Sequence, residues 1–430
     1  MASVRKRGNS YQVTVSGGYD IDGKKISQRR SFKKPGNVSE KQWDKKLQKL
    51  VIEFELEVES GRYVDRSITL KQFSERWMKD YVNSTLSYKS QSAYKTGLDT
   101  KILPVLGHKK LYEVQPTHIL QFLNNLMEDG VKGEGKTGGY SDSTIGLIFG
   151  ILSSLMQQAV YWGVLYDNPC KRVKVPKHKK SLEELKNRKI KHFNEEQIGV
   201  LMDEISGELL QRRVAFFLAL FCGMRMGEVL GLTWNDIDFK EQTIDINTAR
   251  SYTPEKGLFT KIPKTAGSLR VISYPSALNP ILREYKLSQN AEKAFMGPSW
   301  DDEWNRTPWL MTKKDGTGLG YSTLTNWLKN VIKKYNKRIN ADKKLSDKDK
   351  KNKLLPVYGF HALRHTSATL LIGENTDIKT VSMRLGHSNT TTTMNIYVHG
   401  LNSKDREASD KLNRLFTDNT DQELSIKHEC

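Results

Sequence analysis

The sequence predicts a multidomain α+β protein. It opens with a small N-terminal β-hairpin and helix, continues into a four-helix unit, and ends in a larger, mainly α domain with a small β-sheet. Three observations predict this. Hydrophobic residues follow a two-residue period near the N-terminus and a helical period from Thr69 onward. A basic, proline-containing stretch, 171–192, then interrupts the helical pattern. β-rich runs return only between 237 and 274, flanked by helical patterns, and 430 residues suffice for two or three cores.

At the front, Y-Q-V-T-V-S and I-S-Q-R-R-S-F read as strands around D-I-D-G-K, with Asp22-Gly23 as the hairpin signal. A helix is expected from Glu40 to about Glu59. From Thr69, the residues Leu70, Phe73, Trp77 and Tyr81 share one face, and Thr69 with Gln72 forms a capping box. Three more helices are expected near 88–103, 117–128 and 143–162. The last carries an apolar stripe from Ile145 through Ile148, Leu152 and Leu155 to Ala159. Such stripes are core, and Asn168-Pro169 ends the unit. Residues 171–192 hold ten Lys/Arg against Glu183 and Glu184, which predicts an exposed linker. In the last domain, I-D-F-K-E-Q-T-I-D-I and S-L-R-V-I-S-Y-P are expected strands around a Pro/Gly-containing segment. Lys329–Lys353, with eleven Lys/Arg and three acids, reads as a charged helix end and a flexible loop.

Charge narrows the function. Sixty-nine Lys+Arg against 49 Asp+Glu give a net +20, and residues 1–50 alone carry 13 basic against 4 acidic residues. This excess calls for a polyanionic partner. No uninterrupted apolar run approaches the ~18 residues of a membrane span, and the N-terminus has no signal-peptide core. Cys170, Cys222 and Cys430 form neither a disulfide framework nor a zinc pattern. The chain therefore reads as a soluble protein of a reducing compartment, with nucleic acid as its partner and no membrane.

Two motifs mislead. G-V-K-G-E-G-K-T, Gly130 to Thr137, matches the phosphate-loop pattern letter for letter. It follows a helical segment rather than a strand, and glycines stand where a helix should open, so it reads as an interhelical loop. His361 and His365 have zinc spacing, but Arg364 between them would repel a metal; His365 reads as packing, and His399 as a surface residue.

The last quarter carries the chemistry. G-F-H-A-L-R-H-T-S-A-T-L-L contains His361 and Arg364, three apart and so on one side of a helix. L-G-H-S contains His387, Tyr397 follows ten residues later, and G-M-R-M-G-E-V-L-G-L contributes Arg225 upstream, with Glu228 placed to orient it. An arginine fork grips two phosphate oxygens and keeps its charge. Histidines move protons near neutrality. A tyrosine hydroxyl can attack phosphorus and hold the broken strand covalently. Together these groups suit metal-free attack on a phosphodiester.

From about Thr69 to Tyr397 the chain resembles the tyrosine site-specific recombinases, or phage-type integrases. The resemblance implies catalytic roles for Arg225, His361, Arg364 and His387, with Tyr397 as nucleophile. It matches the family's hairpin lysine best to Lys264 in I-P-K-T-A-G-S-L-R-V-I, with Lys256 and Lys261 as competitors. It further implies an arm-type DNA-binding domain at 1–65, a core-binding domain at 66–170, the linker at 171–192, a catalytic domain at 193–403 and a tail for protomer contact at 404–430. The expected activity is integration and excision of a phage or mobile element through a 3′-phosphotyrosine, by a homotetramer on double-stranded attachment sites in the bacterial cytoplasm. An accessory excision factor or host DNA-bending factor is an expected partner; no ATP, metal or other cofactor is expected. Two alternatives stand beside this: a type IB topoisomerase-like enzyme and a non-catalytic architectural DNA-binding protein.

Overall fold

The structure is a computed structural model. It describes residues 2–19, 25–36, 38–59, 68–133, 137–179, 181, 191–261, 269–301, 306–387 and 389–397. The chain divides into two compact units, Met1–Lys180 and Ser181–Cys430.

The first unit opens with an antiparallel sheet of β1 (Ser3–Arg7), β2 (Ser10–Tyr19) and β3 (Lys25–Lys33) in that order. Strand β1, with the polar sequence S-V-R-K-R, gave no apolar signal; the sequence had suggested only the hairpin behind it. Tyr19 pairs with Lys25, while the Asp22-Gly23 turn itself lies outside the described residues. Helix α1 (Glu40–Glu59) supplies Trp43, Leu47 and Phe54 to one face of the sheet, against Tyr11, Val13 and Val15. The two-residue alternation sends Arg5, Arg7, Arg29 and Lys33 to the opposite face, Arg5 in register with Gln12, Arg7 and Lys33 with Ser10, and Arg29 with Thr14. No described carboxylate lies on that face.

A helical bundle follows. Helix α2 (Leu70–Trp77) begins at the expected capping box, Gln72 N donating to Thr69 Oγ1 at 3.2 Å and Thr69 N to Gln72 Oε1 at 3.0 Å. It runs into a π-helical turn, Met78–Val82. Helix α3 (Tyr88–Gly97) does the same through Leu98–Ile102, and α4 (Pro116–Asn125) and α5 (Asp142–Tyr161) complete the set. Phe73, Trp77, Ile102, Phe122, Ile148, Leu152 and Leu155 are buried together. Each fully buried aliphatic or aromatic side chain of this kind contributes roughly 1.5–3 kcal/mol. By length and composition α5 could cross a membrane, yet its seven buried residues, Ile145 to Ala159, are bundle core. The phosphate-loop look-alike follows α4, not a strand, and Gly130 and Gly133 have positive φ, as a loop requires. Beyond Asn168, Val173 and Val175 pack against this core, and His178 N donates to Asp142 Oδ1 at 3.0 Å.

The second unit starts with α6 (Glu195–Ile205), α7 (Leu210–Phe221) and α8 (Met226–Gly231). Strands β4 (Ile237–Asp238), β5 (Thr243–Ile246) and β8 (Arg270–Ser273) form one antiparallel sheet. The Pro/Gly-containing segment between the two expected runs is itself a hairpin, β6 (Ala249–Thr253) with β7 (Gly257–Lys261). Helices α9 (Leu278–Met296), α10 (Thr323–Ala341), α11 (Asp347–Lys353), α12 (His361–Gly373), α13 (Ile378–Leu385) and α14 (Thr390–Tyr397) follow. Helix α11 corrects the expected flexible loop: Ser346 caps it by accepting from Asp349 N at 3.1 Å, and acids precede lysines along it. Phe216, Leu220, Leu230, Ile244, Ile272, Leu328, Phe360 and Leu363 form the core beneath the candidate site.

Candidate active site

The site is assembled where three chain turns meet. The first follows α7. Gly223 has φ +62°, a conformation that favours glycine, and a Cβ there would press on the tip of the Leu385 side chain, 2.5 Å from its Cδ2. Arg225 then caps α8 in extended conformation. Its backbone N donates to Glu228 Oε2 at 2.9 Å, and its Nη1 donates to Glu228 Oε1 at 2.7 Å. Glu228 thus orients the arginine, as its spacing predicts. The second turn is the start of α12, where His361 stands at the first position and Arg364 one turn in. The third is the end of α13, where Gly386 (φ +64°) stops the helix and His387 N donates back to Ser382 O at 3.0 Å.

Arginine hydrogen bonds tie the three turns together. Arg364 is 1% exposed; its Nη1 donates to Gly223 O at 2.7 Å and its Nη2 to Leu385 O at 2.5 Å. Arg225 Nη2 donates to Gly386 O at 2.9 Å. Two of the five N–H groups of the Arg225 fork are thereby used, and its side chain keeps 35% of its surface open. His387 Nδ1 lies 2.8 Å from the hydroxyl of Thr393, which is wholly buried on α14 four residues before Tyr397. His361 keeps part of its surface open to solvent, with its ring edge-on to His365, centroids 4.7 Å apart. Arg225, His361, Arg364 and His387 therefore converge. Tyr397 is the final residue of α14, and its side chain lies outside the described residues, as do Lys264 and His399.

Two arginines that join the site, besides Thr393, were not legible in the sequence. Arg270 Nη1 and Nη2 donate to Glu228 at 3.2 and 2.9 Å, and its Nε donates to Arg384 O at 2.7 Å. Arg384 Nη2 donates to Phe221 O at 3.0 Å and Ser273 O at 2.9 Å. A lone arginine in a β-run, or at a helix end, carries no signal of either contact.

Positive charge exceeds negative here. Arg225, Arg270 and Arg364 surround one carboxylate. Burial pushes Glu228 up, but hydrogen bonds and charge from Arg270, with help from Arg225, outweigh it and hold the carboxyl below its ordinary value. Burial, then the charge of Arg225, lower Arg364 to about 9, so it stays cationic at neutral pH. His387 is pushed down to about 4 by partial burial and then by Arg364 and Arg225, and His361 is lowered by loss of solvent and by His365 and Arg364. Both imidazoles are neutral at pH 7. Three guanidinium groups around one carboxylate form a pocket of excess cation, which an incoming anion relieves. Among the described residues no group of three His, Cys, Asp or Glu side chains gathers as metal ligands.

A mainly helical domain with this arginine–histidine cluster and a tyrosine ending a nearby helix defines a class: enzymes that break and rejoin DNA strands through tyrosine. The chain belongs to the phage integrase family of tyrosine recombinases. Residues 191–404 match the phage integrase family, and residues 69–127 match the N-terminal SAM-like domain of phage integrases. It is 29% identical over 421 residues to a XerC-like tyrosine recombinase of Caldanaerobacter subterraneus, covering 94% of this chain and 96% of that protein. It is 26% identical over 418 residues to the ICEBs1 integrase of Bacillus subtilis, covering 96% and 100%. Its fold matches the integrase of transposon Tn1549, solved in complex with a circular-intermediate DNA, with a TM-score of 0.61 and 19% identity over 80% of this chain and 100% of that one. The protein is a site-specific DNA recombinase, a DNA strand-transferring enzyme.

Proposed function

We propose that Tyr397 is the nucleophile, that Arg225 and Arg364 bind the non-bridging oxygens of the scissile phosphate, and that His387 donates a further hydrogen bond to them. The observation that carries this reading is the joining of Arg225 and Arg364 to the turns at Gly223 and Leu385–Gly386, beside His387 and an excess of buried positive charge. In the forward step the Tyr397 oxygen bonds to phosphorus and the bond to the 5′-oxygen breaks. His361 takes the tyrosine proton, and Lys264 delivers a proton to the departing 5′-oxygen. The fixed guanidinium groups stabilise the charge that develops on phosphorus without reorganising. Because the bond energy is kept in a 3′-phosphotyrosine, a 5′-hydroxyl from a second duplex reverses the step and joins the strands. Neutral imidazoles at pH 7 suit both tasks: His361 as acceptor and His387 as donor.

The wider assignment follows the same division. Residues 1–65 bind arm-type DNA, 66–170 bind the core site, 171–192 link, 193–403 hold the chemistry, and 404–430 contact a neighbouring protomer. The outer face of the N-terminal sheet supports the first of these. Arg5, Arg7, Arg29 and Lys33 with Gln12 and Thr14 make a cationic face across three strands, suited to contact with DNA phosphates. The working form is a homotetramer on two attachment sites in the bacterial cytoplasm, helped by an accessory excision factor or a host DNA-bending factor. A labelled suicide duplex, nicked so that the 5′ fragment diffuses away, tests the reading. Covalent capture followed by transfer to a second duplex is expected. Resealing only within one duplex would mean a topoisomerase, and no capture a DNA-binding protein without chemistry.

A further inference from the structure

Arg225 is held by two acceptors, Glu228 Oε1 and Gly386 O. Arg270 braces both of them. Its guanidinium meets both oxygens of Glu228, at 3.2 and 2.9 Å, and so fixes the carboxylate in the rotamer that Arg225 needs. Its Nε holds the carbonyl of Arg384, two residues before Gly386, and so pins the turn that supplies the second acceptor. Its side chain is 7% exposed, and its contacts with Glu228 and the Arg384 carbonyl place it behind Arg225. We propose that Arg270 is a positioning residue for Arg225, acting through Glu228 and the Arg384–Gly386 turn. It also begins β8, directly after the segment that carries Lys264.

The inference rests on the reading of Arg225 as a phosphate-binding group. A lysine at 270 keeps the positive charge beside Glu228 but cannot make a two-point grip and hold a third acceptor as well. Loss of that grip lets Glu228 and the turn shift relative to Arg225, and misplacement by about 1 Å of a group that contacts the transition state is enough to slow chemistry.

The test is single-turnover cleavage of the suicide duplex by full-length protein, with DNA in excess. The endpoint counts folded, competent enzyme; the rate constant reports how well the site is arranged. Arg270→Lys is expected to lower the rate constant by about ten- to a hundredfold with an endpoint close to wild type. In a Glu228→Gln background the same change is expected to cost less than about twofold, because its route of action is already cut. Arg270→Gln is measured alongside, and if it does not fold Arg270→Lys decides alone. A rate constant for Arg270→Lys within about twofold of wild type overturns the proposal whatever the endpoint, as do losses that multiply fully with Glu228→Gln. Arg225→Lys separates the two levels. If it cleaves at the wild-type rate, the phosphate role of Arg225 is wrong; if it is slow while Arg270→Lys is normal, only the role of Arg270 is wrong.

Discussion

Arg364 is fixed from two sides. It is buried, and each of its two terminal nitrogens holds a backbone carbonyl from a different turn. Lysine keeps the charge but offers a single nitrogen, so Arg364→Lys should lower the cleavage rate by roughly a hundredfold. A lysine variant within about threefold of wild type would mean that point charge alone suffices. His387 makes a prediction about pH. Its folded-state value of about 4 lies below the ordinary histidine value, so between these pH values the unfolded chain binds the proton and the native chain does not. Stability therefore falls as pH drops below about 6.5 and levels off below the folded value, a loss on the order of 1–3 kcal/mol from this group. Melting curves of wild type and His387→Gln between pH 4 and pH 7 check this: the glutamine variant should lose less stability on acidification, and parallel curves would contradict the assignment.

Elements explain how distant parts of the sequence meet. The hook after α7 depends on Gly223, whose left-handed φ strains any other residue and where a methyl group would push on the Leu385 side chain. Gly223→Ala should destabilise the protein by about 2–4 kcal/mol, from backbone strain plus overpacking, and should also weaken cleavage because Gly223 O anchors Arg364. Thermal melting with the suicide assay measures both effects; a neutral alanine variant would show that the hook can relax. The same scale shows what the sequence could reveal. The capping box at Thr69, helix α1 and the apolar stripe of α5 were legible because each is a local pattern with a physical cause. The π-helical turns at Met78–Val82 and Leu98–Ile102 were not, since helical periodicity does not register one extra residue in a turn. The β6–β7 hairpin was hidden because its turn lies among prolines and glycines that read as loop, and α11 because six of its seven residues are lysine or aspartate without an apolar stripe. Arg225, His361, Arg364 and His387 were legible as a set by order and spacing, and the structure brings those four together. Arg270 and Thr393 were not, because their contacts are made across 42 and 6 residues by side chains with no motif of their own.

At the scale of the whole molecule, charge divides the labour. The N-terminal sheet presents arginines and a lysine on one face and packs Tyr11, Val13 and Val15 on the other, so it has its own small core. A protein beginning near Arg66 retains the helical bundle, the linker and every candidate site residue. It should still nick and join a minimal core site, lose tight binding to a longer site with flanking arms, and show a shallower dependence of affinity on salt because fewer counterions are released. Footprints of the two proteins on one long site measure this, and an identical footprint would assign the front domain to folding or protein contacts instead.

The central claim is that strand transfer passes through Tyr397, delivered on α14 to the cluster of Arg225, Arg364 and His387. The most direct measurement is to capture the protein on a suicide duplex, digest it, and identify the nucleotide-bearing peptide by mass spectrometry, with Tyr397→Phe as the companion protein. The account predicts a 3′-phosphotyrosine at Tyr397, no adduct with the phenylalanine variant, and duplex binding by that variant nearly equal to wild type, since affinity comes mostly from phosphate contacts elsewhere. An adduct on any other residue, or covalent capture that persists in Tyr397→Phe, would contradict it.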